Sequence, residues 1–122
     1  MPSPQDSAFR RVYMKFYYAF AGLIDGILHD FSIQLQFCFA AFALSVALIF
    51  HFTVIELSIL MVCIGLVLCF EYLNSAVEAM IDHLEPKFAP DAKVAKDLGA
   101  ASVGLSALVA LIIGVMFLLN HI

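Results

Sequence analysis

The sequence predicts an all-α membrane protein in which an amphipathic N-terminal surface helix precedes three membrane-spanning helices, and three observations carry that expectation. Of 122 residues, 64% are hydrophobic and 13% charged, whereas a soluble domain is about half apolar and about a quarter charged. Three apolar stretches each approach the roughly 20 residues that cross about 30 Å of hydrocarbon at about 1.5 Å per residue. All six basic residues lie on segments that such a layout puts on one side of the bilayer. The net charge of −4 therefore matters less than where the charges stand.

Residues 1–7, Met-Pro-Ser-Pro-Gln-Asp-Ser, read as a loose end in which Asp6 or Ser7 is placed to cap the helix that follows. A secretory leader is not expected, because an amphipathic segment rather than a short basic leader precedes the first long apolar run. Over residues 8–30, Phe9, Val12, Phe16, Phe20, Leu23 and Ile27 recur at helical spacing, with Arg11, Lys15, Tyr18, Gly22, Asp25 and His29 opposite. An aromatic face opposed by Arg11 and Lys15 suits a helix lying among anionic headgroups. Packing on a protein surface is the alternative.

Membrane helices are expected over residues 33–51, 54–82 and 92–119, the second turning polar after Phe70 and the third turning fully apolar from Leu98. Only His51, Phe52 and Thr53 separate the first two, so these form an antiparallel hairpin. Pro86 and Pro90 are expected to end the second helix and to delay the third. Arg10, Arg11, Lys15, Lys87, Lys93 and Lys96 place the surface helix and the proline-containing loop in the cytoplasm, with the hairpin turn and His121 outside. Residues 1–122 thus read as one membrane domain.

Cys38, Cys63 and Cys69 lie in apolar spans without CxxC or Cys/His spacing, which points to reduced packing residues rather than zinc or disulfides. The four histidines have no partner at metal spacing. His29 and His83 are expected at interfaces, His51 and His121 in solvent or headgroup contacts on the outer side, and Glu56 at the outer interface.

The informative stretch is Glu71-Tyr-Leu-Asn74-Ser75-Ala-Val-Glu78-Ala-Met-Ile-Asp82, whose polar residues recur at offsets 0, 3, 4, 7 and 11. On a helix these five side chains share an arc of roughly 100°. They run about 16 Å along the axis, from membrane depth into the headgroup layer. A carboxylate at the edge of hydrocarbon costs a few kcal/mol, so Glu71 and Glu78 need a partner, a proton or a metal. With Asp30, Asp82 and Asp97, five acidic groups and Lys96 gather near one interface, a set that suits magnesium and phosphate. Two other readings fit the same periodicity: hydrogen bonding between helices of a small non-catalytic scaffold or assembly subunit, and a cation pore lined by acids. Against the pore, the stripe does not continue through Leu66, Val67 and Cys69. Neither GxxxxGK[ST] nor GxGxxG occurs. Gly99 and Gly104, with Ala100, Ala101 and Ser102 between them, suit close helix packing.

These residues resemble the prokaryotic diacylglycerol kinase family, which includes the undecaprenol kinases. The stretch from Glu71 to Asp82 is similar to the signature E-x-x-N-[ST]-A-[IV]-E-x-x-x-D, and Ala95-Lys96-Asp97 follows at the usual gap. Tyr18-Ala19-Phe20-Ala21-Gly22 and the order of spans extend the similarity over essentially the whole chain. The resemblance implies a homotrimer in the bacterial plasma membrane, phosphorylating a lipid alcohol with ATP and magnesium on the cytoplasmic side, with no nucleic-acid partner. It implies Glu71 as general base and Asn74 as its orienting group or that of the γ-phosphate. Glu78 and Asp30 are implied as magnesium ligands, with Lys96, Asp97, Asp82, Tyr18 and Arg11 as nucleotide contacts. Asp30 stands where the family usually has Glu. Asp30-Phe-Ser32-Ile-Gln34-Leu-Gln36 replaces the common E-x-N-x-R-x-H run, and Ala89 replaces a loop histidine of some members. Ala92-Lys-Val-Ala95-Lys96-Asp97 is closer to the undecaprenol-phosphorylating members than to the diacylglycerol-specific ones.

Overall fold

The computed structural model describes residues 1–84 and 89–122, which fold as four helices: α1 Ala8–His29, α2 Phe31–Ile49, α3 Val54–Leu84 and α4 Pro90–Leu119. The last three are long and apolar enough to cross a membrane, and α1 stands outside that set. Pro86 and Lys87, expected to end a helix and to add to the basic loop, lie outside the described residues.

The Ser7 side chain caps α1, accepting from the Arg10 backbone N–H at 3.2 Å. Asp6 instead accepts from the Ser3 N–H at 2.7 Å and faces Arg10 Nε at 3.6 Å. Asp30 is the whole break between α1 and α2: its N–H donates to the Gly26 carbonyl at 3.0 Å, and its Oδ1 accepts from the Ile33 N–H at 3.1 Å. That cap starts α2 two residues before the expected residue 33.

The hairpin turn ends α2 two residues early as well. His51 adopts φ 57°, the Phe52 N–H donates to the Ala47 carbonyl at 2.9 Å, and the His51 N–H to Leu48 at 3.3 Å. This double closure with a left-handed residue after the cap is a Schellman ending, here built on histidine instead of the usual glycine. A reciprocal box then starts α3. The Glu56 N–H donates to Thr53 Oγ1 at 3.1 Å, and the Thr53 N–H to Glu56 Oε1 at 2.9 Å.

The expected delay of the third helix by Pro90 is corrected, since Pro90 opens α4. A proline lacks only an N–H that the first turn leaves unpaired, and it keeps Ala89 extended at φ −123° and ψ 146°. Likewise α3 continues past Asp82 to Leu84.

The central helix is α3, which packs on α2 and more extensively on α4. Ile33, Ala47, Leu60, Val67 and Val103 form the buried apolar core. At the end of α3 near the hairpin turn, His121 Nε2 faces Glu56 Oε1 at 2.7 Å, and the His121 ring stacks on Phe52 at 5.2 Å. His121 is therefore tied into the fold rather than left to solvent, and Glu56 is its partner. Tyr72 of α3 anchors α1, donating its hydroxyl to the Leu23 carbonyl at 2.7 Å. Gly26 makes that approach possible, because a Cβ there would lie 2.5 Å from the Tyr72 ring and 2.8 Å from Ile33 Cδ1. The apolar face of α1, including Phe9, Phe16 and Phe20, is exposed instead of packed on the other helices.

A non-glycine residue held in the left-handed region costs about 1–2 kcal/mol. His51→Gly is accordingly expected to stabilise the protein by about 1 kcal/mol after the added freedom of the unfolded chain is deducted. His51→Val should destabilise it, a β-branched side chain tolerating positive φ least. Unfolding in detergent micelles checks both, and equal stability of the two variants would contradict this account of the turn.

Candidate active site

The stripe on α3 divides by burial. Glu71 and Asn74 retain 5% and 9% exposure, whereas Glu78 and Asp82 are exposed. Three residues apart, Glu71 and Asn74 face the neighbouring helices, and each meets one of them. From α2, Gln36 donates through Nε2 to Glu71 Oε2 at 3.2 Å. Toward α4, the Asn74 amide lies against Gly99, where a Cβ would collide with Oδ1. Asn74 Nδ2 reaches Glu78 Oε1 only at 3.5 Å, and Asn74 Oδ1 is buried without a hydrogen-bond partner. Buried acceptors are paired in the great majority of cases, so the unpartnered amide oxygen enclosed against Gly99 is an exception within this packing.

Further along the same face, Lys96 of α4 pairs with Asp82 of α3, the lysine half-buried and the carboxylate exposed. Asp97 turns to Lys93 on its own helix. Pairs this exposed contribute at most about 1 kcal/mol, so both lysines are available to an incoming phosphate at small cost. Ser75 is half-buried within the stripe.

The other residues singled out from sequence stand apart. Asp30 is half-buried and uses Oδ1 to cap α2. Arg11 and Tyr18 are exposed on α1, the Tyr18 ring meeting Tyr17 edge-on at 5.7 Å. Among the described residues no three His, Cys, Asp or Glu side chains converge as a ready metal cage. Magnesium, however, keeps several waters and takes one or two carboxylates plus the phosphates of its substrate. The exposed Glu78 carboxylate suits such an ion as a single ligand; the group of Asn74 that faces it is the Nδ2 donor, while Oδ1 is enclosed against Gly99.

Sequence reasoning passed over Gln36 as a departure from a motif. Its signal was nonetheless present, since a polar side chain within an apolar span is costly unless partnered. Gln36 also lines a groove of about 790 Å³ between α2, α3 and α4 that reaches to Phe52 and Leu118.

The family model described as prokaryotic diacylglycerol kinase matches residues 17–118. The chain is similar to an undecaprenol kinase of Bacillus subtilis (strain 168), with 29% identity over 109 residues that cover 89% of each chain.

Because the Asn74 amide fills the space over Gly99, Gly99→Ala is expected to destabilise the protein by about 1–3 kcal/mol, the range for overpacking. Adding Asn74→Ala should recover most of that loss. Strict additivity in a double-mutant cycle measured by unfolding in micelles would show that the two sites do not touch.

Proposed function

The chain belongs to the prokaryotic diacylglycerol kinase family, and on that premise we propose that it transfers the γ-phosphoryl group of ATP to the hydroxyl of a membrane lipid alcohol. The observation that carries this reading is the nearly buried Glu71 carboxylate at the end of an apolar span, with exposed carboxylates and a lysine following on one face. Such a face meets a lipid alcohol from the bilayer and a nucleotide from water.

In this reaction Glu71 takes the hydroxyl proton as the alcohol oxygen bonds to the γ-phosphorus, and the bond to the β–γ bridging oxygen breaks to release ADP. Asn74 orients the base or the γ-phosphate by donating from its amide Nδ2, which reaches Glu78 Oε1 only at 3.5 Å. Glu78 would hold magnesium, which when bound supplies positive charge against the phosphate oxygens. Asp30 is a second proposed ligand to the metal. Lys96 leaves Asp82 to neutralise the transferring group, and Asp82 and Asp97 support the nucleotide side, with Tyr18 and Arg11 as outer contacts.

The proposed setting is the cytoplasmic face of the bacterial plasma membrane, supported by the distribution of the basic residues. The exposed aromatic face of α1 suits the headgroup layer there. A homotrimer is proposed as the working unit, as the resemblance to the family implies. Undecaprenol is the preferred substrate candidate over diacylglycerol. Similarity to an undecaprenol kinase supports that choice.

Glu71→Gln keeps the volume and the hydrogen-bonding capacity toward Gln36 but removes the base. Phosphoryl transfer from labelled ATP to a panel of polyprenols and diacylglycerols should fall about 100-fold or more, with oligomer mass unchanged. Undiminished transfer by this variant would exclude Glu71 as the base. A non-catalytic scaffold would instead tolerate the change and show no transfer in the parent protein.

A further inference from the structure

Gln36 is the one amide or charged side chain among the residues lining the groove between α2, α3 and α4; its neighbours there include Phe39, Ala40, Ala43, Leu68 and Ala107. Leucine or methionine would fill that place without the cost of removing an amide from water. The amide has a definite use. Its Nε2 donates to Glu71 Oε2 at 3.2 Å, and among the described residues no other hydrogen bond reaches the Glu71 carboxylate. Glu71 Oε1 is left without a partner, yet it is not sealed off as Asn74 Oδ1 is.

Resting on the kinase reading above, we propose that Gln36 is a positioning residue for the reaction. Its amide, which lines the apolar groove, pins one oxygen of Glu71 and leaves the other to meet the hydroxyl of a lipid alcohol arriving along that groove. The volume of about 790 Å³ lies within the range of ligand sites. The groove reaches from this amide to Phe52 at the hairpin turn, so an alcohol with its chain along the groove brings its one polar end to Gln36. Held by a single hydrogen bond from another helix, the carboxylate keeps one rotamer while the proton is transferred. Without that bond it samples others, and fewer encounters are productive. Gln36 bonds to Glu71 and takes no part in the Asp82–Lys96 pair, so its effect belongs on turnover and not on ATP binding.

The test compares the parent protein, Gln36→Met, Gln36→His and Glu71→Gln in one assay with ATP, magnesium and polyprenol in mixed micelles. Methionine keeps the volume but loses the donor, and histidine restores a ring N–H at similar reach. Gln36→Met is expected to lower kcat about 10- to 100-fold, the scale of a lost hydrogen bond to a charged group, with KM for ATP unchanged. Gln36→His should return kcat to within a few-fold of the parent. Parental kcat in Gln36→Met, or a loss shared by Gln36→His and matched by a fall in melting temperature, would overturn the positioning role and leave only a structural tie between α2 and α3. Loss in Glu71→Gln beside an unaffected Gln36→Met would sink this inference alone. An inactive parent would sink the kinase reading with it.

Discussion

The close approach of α3 and α4 at Asn74 and Gly99 governs the whole cytoplasmic-end architecture proposed for this chain. Without a side chain at position 99, the Asn74 amide lies directly on the α4 backbone, and Glu71 one turn away is drawn inside the same packing. Burial of that carboxylate is expensive, and the single bond from Gln36 offsets only part of the cost. The folded helices must supply the rest through apolar contact. Leu60, Val67 and Val103 continue the same α3 and α4 faces away from the polar end, so the core of the span is what holds the polar end in place.

Register between the helices is set at the opposite end. The Schellman closure at His51, the Thr53–Glu56 box and the contact of Glu56 with His121 fix where α2 stops, where α3 starts and where α4 finishes. An α-helix advances about 1.5 Å and 100° per residue, so a slip of one residue at that end would turn Glu71 away from Gln36. Two short polar clusters, separated by the apolar length of α3, therefore act on one alignment. Asp30 serves the same end from the other side: by capping α2 it fixes the starting angle of the helix that carries Gln36.

Much of this was legible in the sequence because hydrocarbon leaves few choices. Apolar run lengths gave three long helices, and offsets of three, four, seven and eleven put five polar residues on one face of α3. Periodicity alone does not tell which members of a stripe are enclosed, because that depends on what the neighbouring helix carries. Gly99 and Gln36 are separated from Glu71 by 28 and 35 residues, respectively, and no local pattern links them. Pro90 was misread as a delay because proline breaks a helix interior but suits its first turn, and the two cases look alike until the start of α4 is known. The tie between Glu56 and His121 escaped for a similar reason, although Thr53-Val-Ile-Glu56 has the spacing of a capping box.

The gradient of burial along α3 also bears on the proposed chemistry. A group that removes a proton from an alcohol benefits from a fixed orientation, which Glu71 obtains by enclosure and by its bond to Gln36. Groups that accept and release a polyphosphate benefit from the opposite condition. Asp82 is exposed and Lys96 half-buried, both outside the buried core, so exchanging that pair for phosphate requires no rearrangement of the core. On this proposal α3 carries the rigidly held base, and its far end joins α4 to supply exchangeable charge. The boundary falls between Asn74 and Glu78, a single turn, where an enclosed amide gives way to a carboxylate that remains accessible to water.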